Sequence, residues 1–403
     1  MKKVIFFLFS LFFFCYSVYA DDFDITGEYV TLYNMNEDTL LYSKNDTKKT
    51  SIASLTKMMT TLVAIEEIDN LDKIVTIKER DFEGIVGYSI AGFKVGDKVT
   101  YRDLLYGIIL PSGADAVNAV VNNTLGYDKF IKKMNETAKK IGMNDTSYAN
   151  PVGKDDENNY STSNDLAKLL KYALKNKTFK TIFTTKNYKT SNGLNLESTV
   201  NRYENILNTN EIKGAKSGFT KDAGRCLASI TTLNNVDYLL VVINSSTTSP
   251  YNAVKDTITI YDYYNNNYGY KNIINDDTFI KEIPVDFSKE KTYKITGSED
   301  IEKYLKNNTE VTYKYVGSDK VTFNTKKGSK LGVVKIYDGD VLLATSNVYL
   351  ENNIEYYPII TYIMIGIAVI FVLLIINKIK NKNVIKQKMK KRWVKSYDNW
   401  WNK

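Results

Sequence analysis

From Ile359 to Ile376 the chain is almost wholly apolar and carries no charge, and a basic tail follows it. Eighteen such residues suit a helix that crosses a bilayer. Tyr356, Tyr357 and Tyr362 stand where an outer interface would be. The tail, 378–403, holds ten Lys and Arg residues against Asp398, a net +9. The positive-inside rule keeps that tail in the cytoplasm and puts residues 21 to about 357 outside. The other end agrees. Lys2 and Lys3 precede an apolar run from Val4 to about Tyr16, and Val18-Tyr19-Ala20 offers a cleavage site. These features predict a signal peptide over 1–20, a transmembrane helix over 357–377 and a cytoplasmic tail over 378–403.

The net charge of +8 then changes meaning. Without the tail and the two leader lysines, the exported part carries −3. A nucleic-acid partner is therefore not expected. The tail, with Trp393, Trp400 and Trp401, suits an anionic lipid surface or a plain stop-transfer flank.

Between the two ends the texture changes once. Strand-like Glu28–Asn34 and Thr39–Tyr42 flank a turn. Helical stretches follow from Ser54, in a first turn, to about Glu67, and at Tyr101–Ile109, Ala114–Val121, Lys129–Ile141 and Ser163–Leu174. Strands at Cys226–Thr232 and Tyr238–Ile243 and a helix over Ala253–Tyr264 complete the pattern. Strands, then helices, then strands point to an α/β or α+β domain, placed at 21–272. Beyond it, short strands between turns predict a small all-β domain over 277–352. They include Phe279–Val285, Thr292–Thr296, Lys320–Asn324 and Gly332–Tyr337.

The chemistry is narrowed by what is missing. The chain contains no histidine and two cysteines, Cys15 and Cys226. Cleavage after Ala20 leaves Cys226 alone. No Ser-His-Asp site, His-ligated zinc or disulfide framework is available. Ser, Thr, Lys, Tyr and carboxylates remain. Ser54 and Lys57 lie three apart at the start of an apolar helix and share one face. Lysine is a base for a serine nucleophile when burial or another cation lowers its pKa. Ser112 sits in the Pro111-Ser112-Gly113 break between two helices, where it either caps the second helix or points into a cleft. A third element, Lys216-Ser217-Gly218-Phe219-Thr220, places a lysine and hydroxyls on strand-like sequence.

In this order the three elements resemble the serine penicillin-recognising enzymes, with their Ser-x-x-Lys, Ser-x-Asn and Lys-Thr/Ser-Gly pattern. The chain looks more narrowly like the D-alanyl-D-alanine carboxypeptidases among the low-molecular-weight penicillin-binding proteins. Asp103-Leu104-Leu105-Tyr106-Gly107, Asn150-Pro151 and Tyr160-Ser161-Thr162 support this. The resemblance covers roughly residues 26–245. It implies a β-lactamase/transpeptidase-like fold, an antiparallel sheet flanked by helices. Ser54 would be the nucleophile, Lys57 the base and Ser112 a proton carrier to the leaving group. Lys216, Ser217 and Thr220 would hold the substrate carboxylate, with Gly218 leaving room for its backbone. The N–H groups of Ser54 and Phe219 would form the oxyanion hole. The implied substrate is a peptidoglycan pentapeptide, with β-lactams as inhibitors and with no cofactor or metal. Two departures from the pattern are visible. Ala114 stands where the second motif has asparagine, followed by Asp115, and the region of Asn244-Ser245-Ser246 lacks an arginine that some relatives use. A catalytically weak wall-binding or regulatory homologue and a β-lactamase are the alternatives.

Overall fold

The structure, a computed structural model, describes residues 23–322 and 325–401. The expected signal peptide and Cys15 lie outside the described residues. The chain divides into two units, ending and starting at Asn267 and Tyr268.

The first unit is organised by one sheet and one buried helix. Strands β1 (Tyr29–Asn34) and β2 (Thr39–Lys44) form the expected hairpin, and Asn34 Oδ1 holds its turn by accepting from the Asn36 N–H at 2.9 Å. A 3-10 turn, Ala53–Leu55, leads into α1 (Thr56–Glu67), whose residues are buried without a break from Thr56 to Ala64. A short pair, β3 (Ile74–Thr76) and β4 (Lys98–Thr100), precedes α2 (Tyr101–Ile109). Thr100 and Asp103 cap α2 reciprocally: the Thr100 hydroxyl accepts from the Asp103 N–H and the Asp103 carboxylate from the Thr100 N–H. Then come α3 (Ala114–Asn123), α4 (Tyr127–Lys140), α5 (Ser163–Ala173) and α6 (Lys177–Thr184). The small hairpin β5 (Asn187–Lys189) and β6 (Asn195–Glu197) follows.

The last three strands finish the sheet. They are β7 (Gly214–Thr220), β8 (Gly224–Leu233) and β9 (Val236–Ser245). Asn234 and Asn235 both take positive φ between β8 and β9, the geometry of a two-residue hairpin that asparagine tolerates. The order is β2-β1-β9-β8-β7, antiparallel at every step, so β7 is an edge. Side chains alternate between its faces. Ala228, Leu239, Val241 and Ile243 join the core around α1. Their neighbours, among them Ser229, face α7 (Asn252–Asn267), where Ser229 Oγ and Tyr261 Oη are 2.9 Å apart.

The second unit starts with β10 (Tyr268–Ile274), directly after α7. The boundary expected at 272 therefore falls inside a strand; the true one follows the run Asn265-Asn266-Asn267, where α7 passes straight into β10. Next come β11 (Phe279–Pro284), β12 (Thr292–Thr296), β13 (Ile301–Lys306), β14 (Val311–Gly317), β15 (Lys330–Asp338) and β16 (Val341–Tyr349). They form two pairs, β10-β13 and β11-β12, and a meander, β14-β15-β16, around Ile283, Ile295, Val334 and Ile336. The strand expected over Lys320–Asn324 reduces, among described residues, to one bridge, Val285 to Val321. Last is α8 (Ile359–Trp401), long and apolar enough over part of its length to cross a membrane. It continues without interruption into the basic segment.

Candidate active site

Ser54 stands in the 3-10 turn just before α1, not inside its first turn as the sequence suggested. The reason is Ala53, whose φ of +46° keeps the helix from starting earlier. Lys57 is then one turn in and 1% exposed. Its Nζ lies 2.9 Å from Ser54 Oγ and donates to the Val152 carbonyl at 2.7 Å. That carbonyl belongs to a loop built for the purpose. Asn150 Oδ1 accepts from the N–H groups of Gly153 and Lys154, and Thr60 Oγ1 donates to the Pro151 carbonyl at 2.6 Å.

Ser112 is also left-handed, with φ +66°. It does not cap α3, whose N-cap is Gly113 and makes no side-chain bond. Its hydroxyl instead accepts from Lys216 Nζ at 2.8 Å. Lys216 is fully buried on β7 and donates also to the Ser217 carbonyl at 2.7 Å. Burial pushes the Lys57 ammonium down to about 7, against the raising field of Asp115. Burial pushes Lys216 well below the usual lysine range too, and the neighbouring Lys57 adds to it. Two buried amines that repel one another resist holding two protons at once.

Gly218 closes the arrangement. A Cβ there would lie 3.0 Å from the Ser54 nitrogen, so strand and nucleophile turn touch. Ser54, Ser112, Ser217, Phe219, Thr220 and Asp155 line one cleft of about 580 Å³, with the two lysines behind its wall. Ser217 Oγ is 2.5 Å from Thr199 Oγ1, and Thr220 donates to Asp155 Oδ1 at 2.6 Å. All the residues singled out from the sequence thus meet in one place.

The two departures have physical answers. Ala114 is fully buried. Asp115 turns away from the nucleophile and accepts from the N–H groups of Ala91, Gly92 and Phe93, tethering the chain just past Tyr88 and Ser89 on the opposite wall. Arg225, opposite Phe219 in register, lies over the Phe219 ring at 3.9 Å. Sequence reasoning missed Val152, Asp155 and Thr199. The Asn150-Pro151-Val152-Gly153 turn was visible, but its carbonyl's role was not. Asp155 and Thr199 carried no signal.

A model of the family described as D-alanyl-D-alanine carboxypeptidase matches residues 17–247, more than half the chain. The chain belongs to the D-alanyl-D-alanine carboxypeptidase family. A second model, the penicillin-binding protein 5 C-terminal domain, matches 268–356, the β-rich unit. The D-alanyl-D-alanine carboxypeptidase DacF of Bacillus subtilis is 28% identical over 337 residues, 80% of this chain and 85% of that protein. The D-alanyl-D-alanine carboxypeptidase of Streptomyces sp. strain K15 is 35% identical over 211 residues, 48% and 72% of the two chains. The crystal structure of the Streptomyces K15 DD-transpeptidase matches with a TM-score of 0.54 at 32% identity, covering 59% of this chain and 97% of that one. Penicillin-binding protein 5 from Haemophilus influenzae matches with a TM-score of 0.59 at 23% identity, over 83% and 99%, a likeness of fold. The family resemblance and the fold class read from the motifs are borne out.

Proposed function

We propose that this chain is a serine-type D-Ala-D-Ala carboxypeptidase that trims the terminal D-alanine from peptidoglycan stem pentapeptides. The observation that carries the reading is the 2.9 Å approach of Ser54 Oγ to a buried amine whose pKa is near 7. Burial thus favours the unprotonated, basic form of this amine near neutral pH. Ser54 gives its proton to Lys57 as the oxygen attacks the carbonyl between the two D-alanines. The N–H groups of Ser54 and Phe219 donate to the oxyanion as charge develops. The proton returns through Lys57 and Ser112 to the leaving amine of D-alanine. Lys216 and Ser217 attract and hold the terminal carboxylate, while Thr220, whose hydroxyl donates to Asp155, lies further along the strand. Water then hydrolyses the acyl-enzyme. A β-lactam acylates Ser54 in the same way and leaves slowly.

The same reading puts the catalytic unit outside the cell, with α8 as a single-pass anchor and the tail in the cytoplasm. The uncharged run before Asn377 and the +9 after it support this orientation. The test is release of D-alanine from a pentapeptide together with labelling by fluorescent penicillin. Wild type should do both and Ser54→Ala neither; equal labelling of the two removes Ser54 as the nucleophile. Labelling without release marks a weak wall-binding homologue, and rapid β-lactam hydrolysis marks a β-lactamase.

A further inference from the structure

We propose that Asp155 selects stem peptides whose third residue, the one before D-Ala-D-Ala, carries a free side-chain amino group. The inference rests on the carboxypeptidase reading. β7 is the open edge of the sheet, so a peptide bound there pairs with it as an added strand. Lys216 fixes its direction. Lys216 and Ser217 mark the carboxylate end, and Gly218 abuts Ser54. With the Phe219 N–H donating to the scissile carbonyl, the penultimate D-alanine lies opposite Phe219. In an antiparallel pair the preceding residue then lies opposite Thr220. Paired residues point to the same face of a sheet. An L-residue at that position therefore aims its side chain where Thr220 aims its own, at Asp155.

Asp155 suits an incoming ammonium. It is exposed and lines the cleft. Thr220 occupies Oδ1. Among the described residues Asp155 forms no ion pair. Nearby cations are engaged elsewhere: Lys154 lies over the Tyr88 ring at 5.7 Å, and Arg225 over Phe219. Lys221 is exposed just past the strand.

The experiment compares two peptides with the full chain in detergent. Nα-acetyl-Lys-D-Ala-D-Ala has a free ε-amine; the Nα,Nε-diacetyl peptide does not. Wild type should favour the free amine roughly five-fold in kcat/KM, the scale of one charged, partly exposed contact. Asp155→Asn keeps a hydrogen-bonding partner for Thr220 and should bring the ratio to about one. Asp155→Lys should invert it. Penicillin labelling of each variant verifies the fold. Equal rates in wild type, or a preference that survives Asp155→Asn, overturn the assignment while leaving the carboxypeptidase reading intact. Release from neither peptide by wild type sinks both.

Discussion

A Cβ on Gly153 would lie 2.0 Å from the carbonyl oxygen of Ala53. The two residues press together because each holds a left-handed backbone, φ +85° and +46°. Their contact fixes the Ser54 turn against the loop that receives Lys57. Gly153→Ala should therefore cost about 2–4 kcal/mol, from steric overlap and from a φ that alanine resists. A fall in Tm with loss of penicillin labelling is the expected result; an unchanged Tm refutes the packing argument.

The Lys57 pKa near 7 sets a pH profile. The base form is present above that value. Acylation by a β-lactam, measured as a second-order rate, should fall about tenfold per pH unit below 7 and level off above it. A flat profile from pH 5 to 9 would exclude Lys57 as the base.

The same burial has a cost in stability. A lysine lowered from 10.5 to about 7 carries a penalty of roughly 5 kcal/mol at ~1.4 kcal/mol per unit. The unfolded chain binds the extra proton between those two values, so stability rises with pH across that window. The penalty is complete below pH 7 and gone near 10.5. Lys57→Met removes it but leaves the Val152 carbonyl unpaired, at about 1–3 kcal/mol. The variant should melt higher than wild type at pH 6, and the gap should shrink as pH rises and reverse by about pH 10. A constant gap would contradict the linkage.

Ser112 separates chemistry from folding. Its φ of +66° is natural for glycine, so the strain relieved in Ser112→Gly, about 1 kcal/mol, offsets part of the roughly 1–3 kcal/mol for taking the hydroxyl partner from buried Lys216, and Tm should fall only slightly. Lys216 loses its hydroxyl partner, and D-alanine release should drop at least tenfold. Unimpaired release removes Ser112 from the proton path.

Asp115 accepts three backbone N–H groups while 1% exposed. Asp115→Ala orphans all three and should cost about 3 kcal/mol or more. Faster hydrogen exchange at Ala91–Phe93 reads this directly. Wild-type protection there would show that the tether does not hold the wall.

The sequence announced those parts that obey local rules. The hairpin of Glu28–Asn34 and Thr39–Tyr42, the strands on either side of Asn234-Asn235 and the helices at Tyr101–Ile109 and Lys129–Ile141 each carry their cause within a few residues. The three lysine and serine motifs were legible because their residue types have few bland uses together in a chain without histidine. What stayed hidden was made by tertiary contact. The Val152 carbonyl acquires meaning only once Gly153 rests on Ala53. Asp155 looks like any loop carboxylate until Thr220 donates to it, and Thr199 becomes visible only beside Ser217. The boundary at Asn267 was missed because α7 passes into β10 without a turn.

Helix α8 runs for 43 residues. At 1.5 Å per residue that is about 65 Å, roughly twice the hydrocarbon thickness of a bilayer. A membrane that takes in the uncharged half leaves a helical rod of some 35 Å standing clear of the oil, studded with lysine at its turns. Such a rod is a lever: attraction to anionic headgroups would bend it flat along the surface, and neutralising that attraction with salt would let it stand.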